Sequence, residues 1–263
     1  MATKKSSSFK PIHVCVDRII PYEQKIRAAE VAVKHNPANA PKMFARLPGV
    51  SAHPAKIAIQ TGKKWLNGTQ LSVAFMDGSK TQQQKVIDHA VQWMKFANIG
   101  LKFGAGKNAQ IRLSFKSDPG SWSYVGTDNL TINKNEPTMN YGWLEDDTDD
   151  DEYNRVVLHE FGHMLGAIHE HQSPKGGIKW NLDKVYKYFS GPPNNWSKED
   201  IDFNIVHKYS IDQLNATKFD PNSIMLYAFP GDFIVGGVGT HENTKLSTAD
   251  KRFIKKMYPK PKP

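Results

Sequence analysis

Five residues near the middle of the chain have the types and spacing of a catalytic metal site. His159, Glu160, His163, Gly166 and His169 form the pattern H-E-x-x-H-x-x-G-x-x-H. Histidines four apart lie one turn from each other on a single helix face. Glycine can adopt the left-handed backbone that ends a helix, so the chain can turn and bring a third histidine back. Because catalytic zinc takes three protein ligands and a water, the pattern predicts zinc on the three histidines, with Glu160 reaching the water.

A histidine-rich surface helix without a metal is the alternative interpretation of this stretch. Apolar residues surround the histidines, however, and they are Val156, Val157, Leu158, Phe161, Met164 and Leu165. This composition predicts a buried helix, and buried imidazoles need polar partners. A zinc ion would satisfy all three, so the pattern favours the metal.

A second pattern, Ser223-Ile224-Met225-Leu226-Tyr227, lies downstream. With the long histidine motif it resembles the Met-turn of the astacin branch of the metzincin metallopeptidases, and Glu170 fits the same resemblance. The resemblance implies that Met225 forms an apolar floor under the histidines. It also implies that Tyr227 lies beside the zinc and stabilises the oxyanion. The alternatives are a core methionine and a core tyrosine with its hydroxyl bonded elsewhere. For Glu170 we expect a structural role, as an ion-pair or hydrogen-bond partner below the site.

The match departs from the usual astacin pattern at a few positions. Ala167 follows the motif glycine where phenylalanine is usual, and Leu226 stands where histidine is frequent. Cys15 is the only cysteine, so no disulfide forms within one chain and the fold depends on its core. The string Phe-Pro-Gly-Asp at 229–232 lies after the Met-turn and is interpreted as a turn. These departures indicate a disulfide-free, astacin-like protein.

The resemblance implies a zinc-dependent endopeptidase that hydrolyses peptide bonds in protein or peptide substrates. Glu160 would take a proton from the zinc-bound water and deliver it to the leaving amine. A non-cleaving binding or toxin module with the same zinc fold is one alternative, and Glu160 argues against it because a structural site has no use for that carboxylate. A protease of another metzincin branch is the other alternative. Tyr227 favours astacin-like or serralysin-like enzymes, and no glycine-rich repeats follow to support the latter.

Length and composition predict one large domain, or a domain with an appendage, and a monomer is favoured. The 263 residues are 39% hydrophobic and include six tryptophans, which is enough for a sizeable core. No apolar run approaches the ~20 residues of a membrane span. The first twenty residues lack the apolar stretch of a signal peptide, so we expect either a cytoplasmic protein or export by a leaderless route.

The charge distribution gives little reason to expect nucleic acid as a partner. The net charge is +9, but the basic residues are scattered and mostly lysine, and no nucleic-acid motif accompanies them. A solvated lysine-rich surface explains them better. The acidic run 145–152 precedes the zinc helix, where an aspartate can cap the helix and favour its dipole. A calcium site is the alternative for this run.

Residues 1–60 are predicted to form an N-terminal extension, a candidate pro-segment, ahead of a catalytic domain at 61–263. The extension contains a short strand at 11–20, a helix at about 22–34 and a linker to about 60. Cys15 lies in it, and a thiolate there could fill the open position of the zinc and hold the enzyme latent. The alternative is a small buried hydrophobe.

The expected fold is α+β, a metzincin-type two-lobed domain. A twisted sheet and the long zinc-binding helix form the upper lobe, above a smaller irregular lower lobe. Hydrophobic patterns and caps predict strands at 71–75, 101–103, 111–115 and 137–143, and helices at about 81–97, 197–208 and 247–258. Thr81 and Gln84 are the expected capping box of the first helix. The strand at 137–143 is expected at the sheet edge, where an extended peptide substrate would pair with it; an edge strand without a ligand is the alternative.

Overall fold

The computed structural model describes Cys15, Arg18 and residues 20–41, 62–117, 120–192, 194–208 and 218–261. The α-helices are Lys25–His35 (α1), Lys80–Ala90 (α2), Asp150–Met164 (α3), Leu182–Phe189 (α4), Lys198–Ile201 (α5) and Thr248–Met257 (α6). The strands are Gln70–Phe75 (β1), Gly100–Phe103 (β2), Ile111–Ser114 (β3), Trp122–Ser123 (β4) and Met139–Asn140 (β5). Single turns of 3₁₀-helix lie at Tyr22–Gln24, Pro37–Asn39, Trp93–Lys95, Glu170–Gln172 and Gly231–Phe233, a longer one at Gly126–Thr131, and a π-turn at Asp202–Val206. These elements agree with the predicted α+β class.

The five strands form one mixed sheet in the order β2-β1-β3-β5-β4. The first four run parallel, and β4 pairs antiparallel with β5. Every residue of β3 is buried, as expected for a central strand covered on both faces. The short strand β4 thus forms the edge at this end of the sheet.

Two main apolar clusters correspond to the two expected lobes. The larger one joins the sheet to α2 and α3 and includes Trp93, Leu158 and Met225. The smaller one lies in the irregular segment after α3 and includes Phe189 and Tyr227. The Met-turn contributes Met225 to one cluster and Tyr227 to the other, so the candidate site lies where the two clusters meet.

The predicted edge strand at 137–143 was wrong in its place and its length. β5 covers only Met139–Asn140 and lies between β3 and β4. The edge is β4, which the sequence analysis did not identify because two residues are too short to show an alternating pattern. The peptide-pairing edge expected near the site therefore moves from β5 to β4.

Five of the six α-helices described were predicted, with differences at their ends, whereas α4 at Leu182–Phe189 was not predicted because this segment was expected to be irregular. α2 starts at Lys80, and its capping box is Ser79 with Gln82, not Thr81 with Gln84. It ends at Ala90, before the turn at Trp93–Lys95, and so is shorter than 81–97. The 197–208 helix is α5 followed by the π-turn, whereas α6 agrees closely with its prediction. Both carry the predicted serine–aspartate boxes, Ser197–Asp200 and Ser247–Asp250.

The N-terminal extension contains the predicted helix, as α1. Most of the predicted strand at 11–20 lies outside the described residues, as does the linker from 42 to 61. Arg18 forms an isolated parallel bridge with Tyr124, next to β4. Ile20 and Ala28 pack against Ile132 and Tyr124, which places the extension against the turn that follows β4. None of the helices described is long and apolar enough to cross a membrane.

Candidate active site

Helix α3 positions the first two histidines. Asp149 caps it by accepting a hydrogen bond from the Asp151 N–H, as the acidic run predicted, and three further acids occupy the first turn. His159 and His163 lie one turn apart near the buried C-terminal end. Gly166 follows the helix with a φ of 97°, in the left-handed region that favours glycine. The chain turns there and brings His169 back to the other two.

The three Nε2 atoms converge on one point. The separations are 3.2 Å between His159 and His163, 3.0 Å between His163 and His169, and 3.2 Å between His159 and His169. Nitrogens bound to one tetrahedral zinc at 2.0–2.1 Å lie about 3.3 Å apart. All three imidazoles are buried. The predicted ligands therefore have the spacing of three corners of a zinc tetrahedron.

Hydrogen bonds to the opposite ring nitrogens fix which atom faces the metal. Nδ1 of His159 lies 2.8 Å from the Ile224 carbonyl, and Nδ1 of His163 lies 3.0 Å from the Ala167 carbonyl. Nδ1 of His169 lies 3.3 Å from Oε1 of Gln172. Because these oxygens are acceptors, each Nδ1 carries the proton and each Nε2 presents a lone pair.

Three converging lone pairs fit a cation and disfavour an extra proton. Burial lowers the pKa of His159 well below its usual value, and the neighbouring His163 and His169 lower it further. Neutral imidazole is the form that ligates zinc. The donor set and its electrostatics therefore fit the zinc ion that the motif predicts.

Glu160 lies beside the three histidines without belonging to the converging set. Its side chain is fully buried. A carboxylate oxygen, the Cys15 sulfur and a His159 ring nitrogen lie within 4.8 Å of one another. The carboxylate is thus placed at the side of the cluster, as the sequence predicted, and it faces Cys15 of the N-terminal extension.

The Met-turn lies beneath the histidines and is held by a buried aspartate. Asp250 accepts hydrogen bonds from Ser223 Oγ at 2.7 Å and from the Ile224 N–H at 2.9 Å. A Cβ on Gly162 of α3 would lie 2.4 Å from the Met225 sulfur, so Met225 packs directly against the helix that carries the ligands. Met225 thereby takes the floor position that the resemblance implied.

Tyr227 lies next to the third histidine. Its ring centroid is 4.4 Å from that of His169 and 5.3 Å from that of His159. Its hydroxyl donates to the Cys15 carbonyl and its oxygen lies in contact with His169 Nε2. The phenol is therefore within reach of the point on which the histidines converge.

Glu170 faces away from this point, into a small cavity of about 80 Å³ that Asp220 and Asp250 also line. It accepts a hydrogen bond from the Asp220 N–H at 2.9 Å. Burial raises its pKa to about 7, and the carboxylates of Asp250 and Asp220 act in the same direction. Glu170 is thus a hydrogen-bond partner below the site, as expected.

Several groups that support the site were not identified from the sequence. The Ile224 and Ala167 carbonyls orient histidines, but backbone groups carry no residue signature. Among these supporting groups, only Gln172 could have been identified from the sequence, because an amide three residues after His169 can reach its imidazole. His171 stacks on His169 and lies 5.2 Å from the Tyr227 ring, and it hydrogen-bonds the Asn204 carbonyl at 3.0 Å.

The acidic run gives no support to the calcium alternative. Asp149 of this run caps α3, and Asp146 accepts a hydrogen bond from the Ser79 hydroxyl. Within the described part of the chain, its carboxylates do not come together as a cluster that could hold an ion. The run acts as the N-terminal cap and first turn of α3.

Comparison with known proteins agrees with this geometry. The model of the peptidase family described as "Astacin" matches residues 58–233. A structure described as "Structure of myroilysin" is 43% identical, covers 76% of this chain and 97% of its own, and has a TM-score of 0.74. A second, "Crystal structure of myroilysin", is 36% identical and covers 99% of this chain and 98% of its own, with a TM-score of 0.64.

More distant structures share the fold. A zinc-protease hatching enzyme of the medaka fish Oryzias latipes, high choriolytic enzyme 1, is 15% identical with a TM-score of 0.50, and the match covers 78% of this chain and 96% of that one. None of the curated protein sequences matches the chain. The family match answers the question of the metzincin branch, which the sequence had left open. The chain belongs to the astacin family and is a zinc-dependent metalloendopeptidase.

Proposed function

We propose that His159, His163 and His169 hold the catalytic zinc, that Glu160 is the general base and acid, and that Tyr227 stabilises the oxyanion. The convergence of three deprotonated Nε2 atoms beside a buried carboxylate carries this proposal. Zinc bound there supplies a Lewis acid that lowers the pKa of a water and polarises the scissile carbonyl.

Glu160 has the position of a proton carrier. Its carboxylate lies in a buried setting beside His159, and it projects from the same helix without joining the ligands. It accepts the proton of the attacking water and delivers it to the leaving amine, which converts a poor leaving group into a neutral one. Tyr227 donates its phenol proton as a hydrogen bond to the oxygen on which negative charge develops.

A peptide substrate would pair with β4. This strand is the sheet edge next to α3, and Arg18 bridges Tyr124, the residue that follows it. Extended pairing places main-chain groups in register along the strand and leaves side chains to determine specificity.

The test of the catalytic assignment is Glu160→Gln. The variant should bind one zinc per chain, measured by atomic absorption. After activation by limited proteolysis it should lose at least about 10³-fold in kcat on casein or a fluorogenic peptide, since the amide cannot accept the proton. Glu170→Gln is the matched control, because it also replaces a largely buried carboxyl next to the site, and it should keep kcat within about three-fold. A zinc chelator should abolish activity of the unmodified enzyme. Normal turnover by Glu160→Gln would contradict the assignment.

We further propose that residues 1–60 are an inhibitory pro-segment with Cys15 as the blocking group. The Cys15 side chain is buried beside Glu160 and His159, and its carbonyl accepts the Tyr227 hydroxyl. Burial raises the pKa of the thiol, and Glu160 raises it further. A bound zinc would oppose both effects, because a coordinating thiol is deprotonated. Cys15 thus lies against Glu160 and Tyr227, the two groups that would act on the substrate in the proposed mechanism.

Cys15→Ala tests this latency. In the full-length protein it should raise the initial rate of peptide cleavage by at least about ten-fold, because zinc gains an open position for water. Lys34→Ala, at an exposed site on α1, should leave the rate unchanged. Equal initial rates for Cys15→Ala and the unmodified full-length chain would remove Cys15 from the regulation and leave the catalytic assignment untouched.

A further inference from the structure

The N-terminal extension meets the chain next to the end of β4. Arg18 and Tyr124 form a parallel bridge at the end of this strand. Cys15, three residues earlier, lies against Glu160 and His159. Cys15 therefore lies at the catalytic carboxylate, and Arg18 lies at the end of β4. On the proposed function, the path between them is the one that an extended substrate would follow.

The side chain of Arg18 lies over an aromatic ring on this path. Its Cζ is 4.4 Å from the ring centroid of Trp122, within the ~6 Å of a cation–π contact. The Trp122 ring packs at 81° against Tyr124, with centroids 5.9 Å apart. This edge contact leaves the indole face to the guanidinium.

Trp122 is buried but belongs to none of the apolar clusters among the described residues. Its Nε1 also has no hydrogen-bond partner within that part of the chain. A large indole on a two-residue edge strand, covered by a cation of the extension, is placed like a binding surface rather than a core residue.

The electrostatic surroundings of this ring also suit a cation. Burial raises the pKa of the neighbouring Tyr124, the carboxylates of Glu136 and Asp128 raise it further, and Arg18 opposes them. Asp128 is paired with Lys63, whereas Glu136 adds negative charge near the strand end. A positive side chain over the indole is thus favoured by the ring face and by the local field.

We propose that the indole of Trp122 forms a substrate subsite for a cationic side chain, arginine or lysine. The inference rests on the proposed function, because it takes the extension to occupy the substrate path. Removal of the extension exposes the ring, and a substrate residue then takes the place of Arg18.

The separation of Cys15 and Arg18 along the chain places this subsite away from the scissile bond. An extended chain rises 3.2–3.4 Å per residue, so residues three apart are separated by about 10 Å. Since Cys15 lies at Glu160 and Arg18 at Trp122, the cationic residue of a substrate should be about three positions from the scissile bond. The chain direction of the substrate decides on which side.

The experiment compares peptides that differ only in charge. Fluorogenic peptides carry arginine, its neutral isostere citrulline, or norleucine at each of the three positions on either side of the scissile bond. Zinc-loaded full-length protein is activated by limited proteolysis before the assay. Ratios of kcat/KM within one preparation do not depend on its active fraction.

Arginine should exceed citrulline roughly three- to ten-fold in kcat/KM at one position about three residues from the bond. Trp122→Leu should bring this ratio close to one, and Trp122→Phe, which keeps a weaker ring face, should leave part of it. Glu136→Gln should lower the ratio by less than about two-fold, because Glu136 acts only through the local field whereas the ring makes the contact.

Equal cleavage of the arginine and citrulline peptides at every position would overturn the subsite. This comparison uses the unmodified enzyme, so it holds even where a Trp122 variant does not fold. An arginine preference that persists in folded Trp122→Leu would overturn it as well. Failure to cleave any peptide would instead contradict the proposed function on which the subsite rests.

Discussion

The chemistry of the site depends on single atoms whose orientation is set by neighbours. The Nε2 lone pairs face one point because each Nδ1 is held by an oxygen, from Ile224, Ala167 or Gln172. Partners of this kind fix the ring orientation and tautomer of a metal ligand, and losing one typically weakens metal binding 10–100-fold. Three residues of one motif thus need a fourth, Gln172, and two backbone carbonyls to become a metal site.

At the residue scale, Tyr227→Phe separates the role of the hydroxyl from that of the ring. The ring packs between His169, His171 and Phe229, and phenylalanine preserves that packing. We expect kcat to fall by about 10²-fold with KM changed little, since a donor to the oxyanion acts mainly in the transition state. Steady-state kinetics on the activated enzyme measures both.

Zinc content and thermal stability are the controls for this variant. Both should match those of the unmodified enzyme, because the aromatic contacts remain. An unchanged kcat with one zinc bound would show that the Tyr227 hydroxyl does not stabilise the oxyanion, and would leave the histidines and Glu160 in their proposed roles.

At the element scale, helix ends position the site as much as helix faces do. α3 presents His159 and His163, and the left-handed turn at Gly166, just past its end at Met164, allows His169 to return. α2 supports it from behind, since Trp93, three residues past the C-terminus of α2, donates its Nε1–H to the Leu158 carbonyl at 2.9 Å. If α2 started at a different residue, a different face of the helix would pack on α3.

The capping box of α2 provides a test of that start. Ser79 accepts from the Gln82 N–H at 3.0 Å, and Gln82 accepts in return from the Ser79 N–H at 2.7 Å. Ser79→Ala should lower the free energy of unfolding by about 1 kcal/mol. Thr81→Ala, at an exposed position, should change it by less than about 0.5 kcal/mol. Urea unfolding followed by circular dichroism measures both, and a larger loss for Thr81→Ala would restore the cap that the sequence alone suggested.

At the scale of the whole molecule, the extension is fastened to the catalytic domain at a second point, the segment Lys64–Trp65. The Asn39 amide donates to the Lys64 carbonyl at 2.8 Å and to the Ala32 carbonyl at 3.0 Å, and its oxygen accepts the Lys64 N–H at 2.9 Å. Asn36 donates to the Trp65 carbonyl at 3.0 Å. These bonds tie the C-terminal end of α1 to the start of the catalytic domain, while Cys15 reaches the site from the other end.

Asn39→Ala should release α1 without altering the site. Because three hydrogen bonds are lost, hydrogen exchange of the α1 amides should accelerate by about ten-fold or more, and a protease should remove the extension faster. Lys34→Ala on the exposed face of the same helix is the control and should leave the exchange rates unchanged. Unaltered exchange in Asn39→Ala would indicate that the apolar contacts of Ile20 and Ala28 hold the helix by themselves.

Local patterns in the sequence determined a large part of this protein. The predictions of the ligand triad, Glu160 and the caps of α5 and α6 rest on short-range spacing, because helix periodicity and capping chemistry act within a few residues. Tyr227 was predicted from the resemblance of its segment to the Met-turn. The π-turn after α5 and the early end of α2 did not follow, since packing overrides weak local preferences at helix ends.

Contacts between distant parts of the chain were decided by the tertiary structure alone. The motif at 159–169 specifies its ligands by itself, because a helix and a glycine turn bring them together from within eleven residues. Strand order decides which strand is the sheet edge. Packing across more than fifty residues orients the His159 imidazole by the Ile224 carbonyl and brings Cys15 to Glu160 and Arg18 to Trp122. Sequence determines such contacts only through the whole fold, because neither a backbone carbonyl nor a two-residue strand has a local signature of its own.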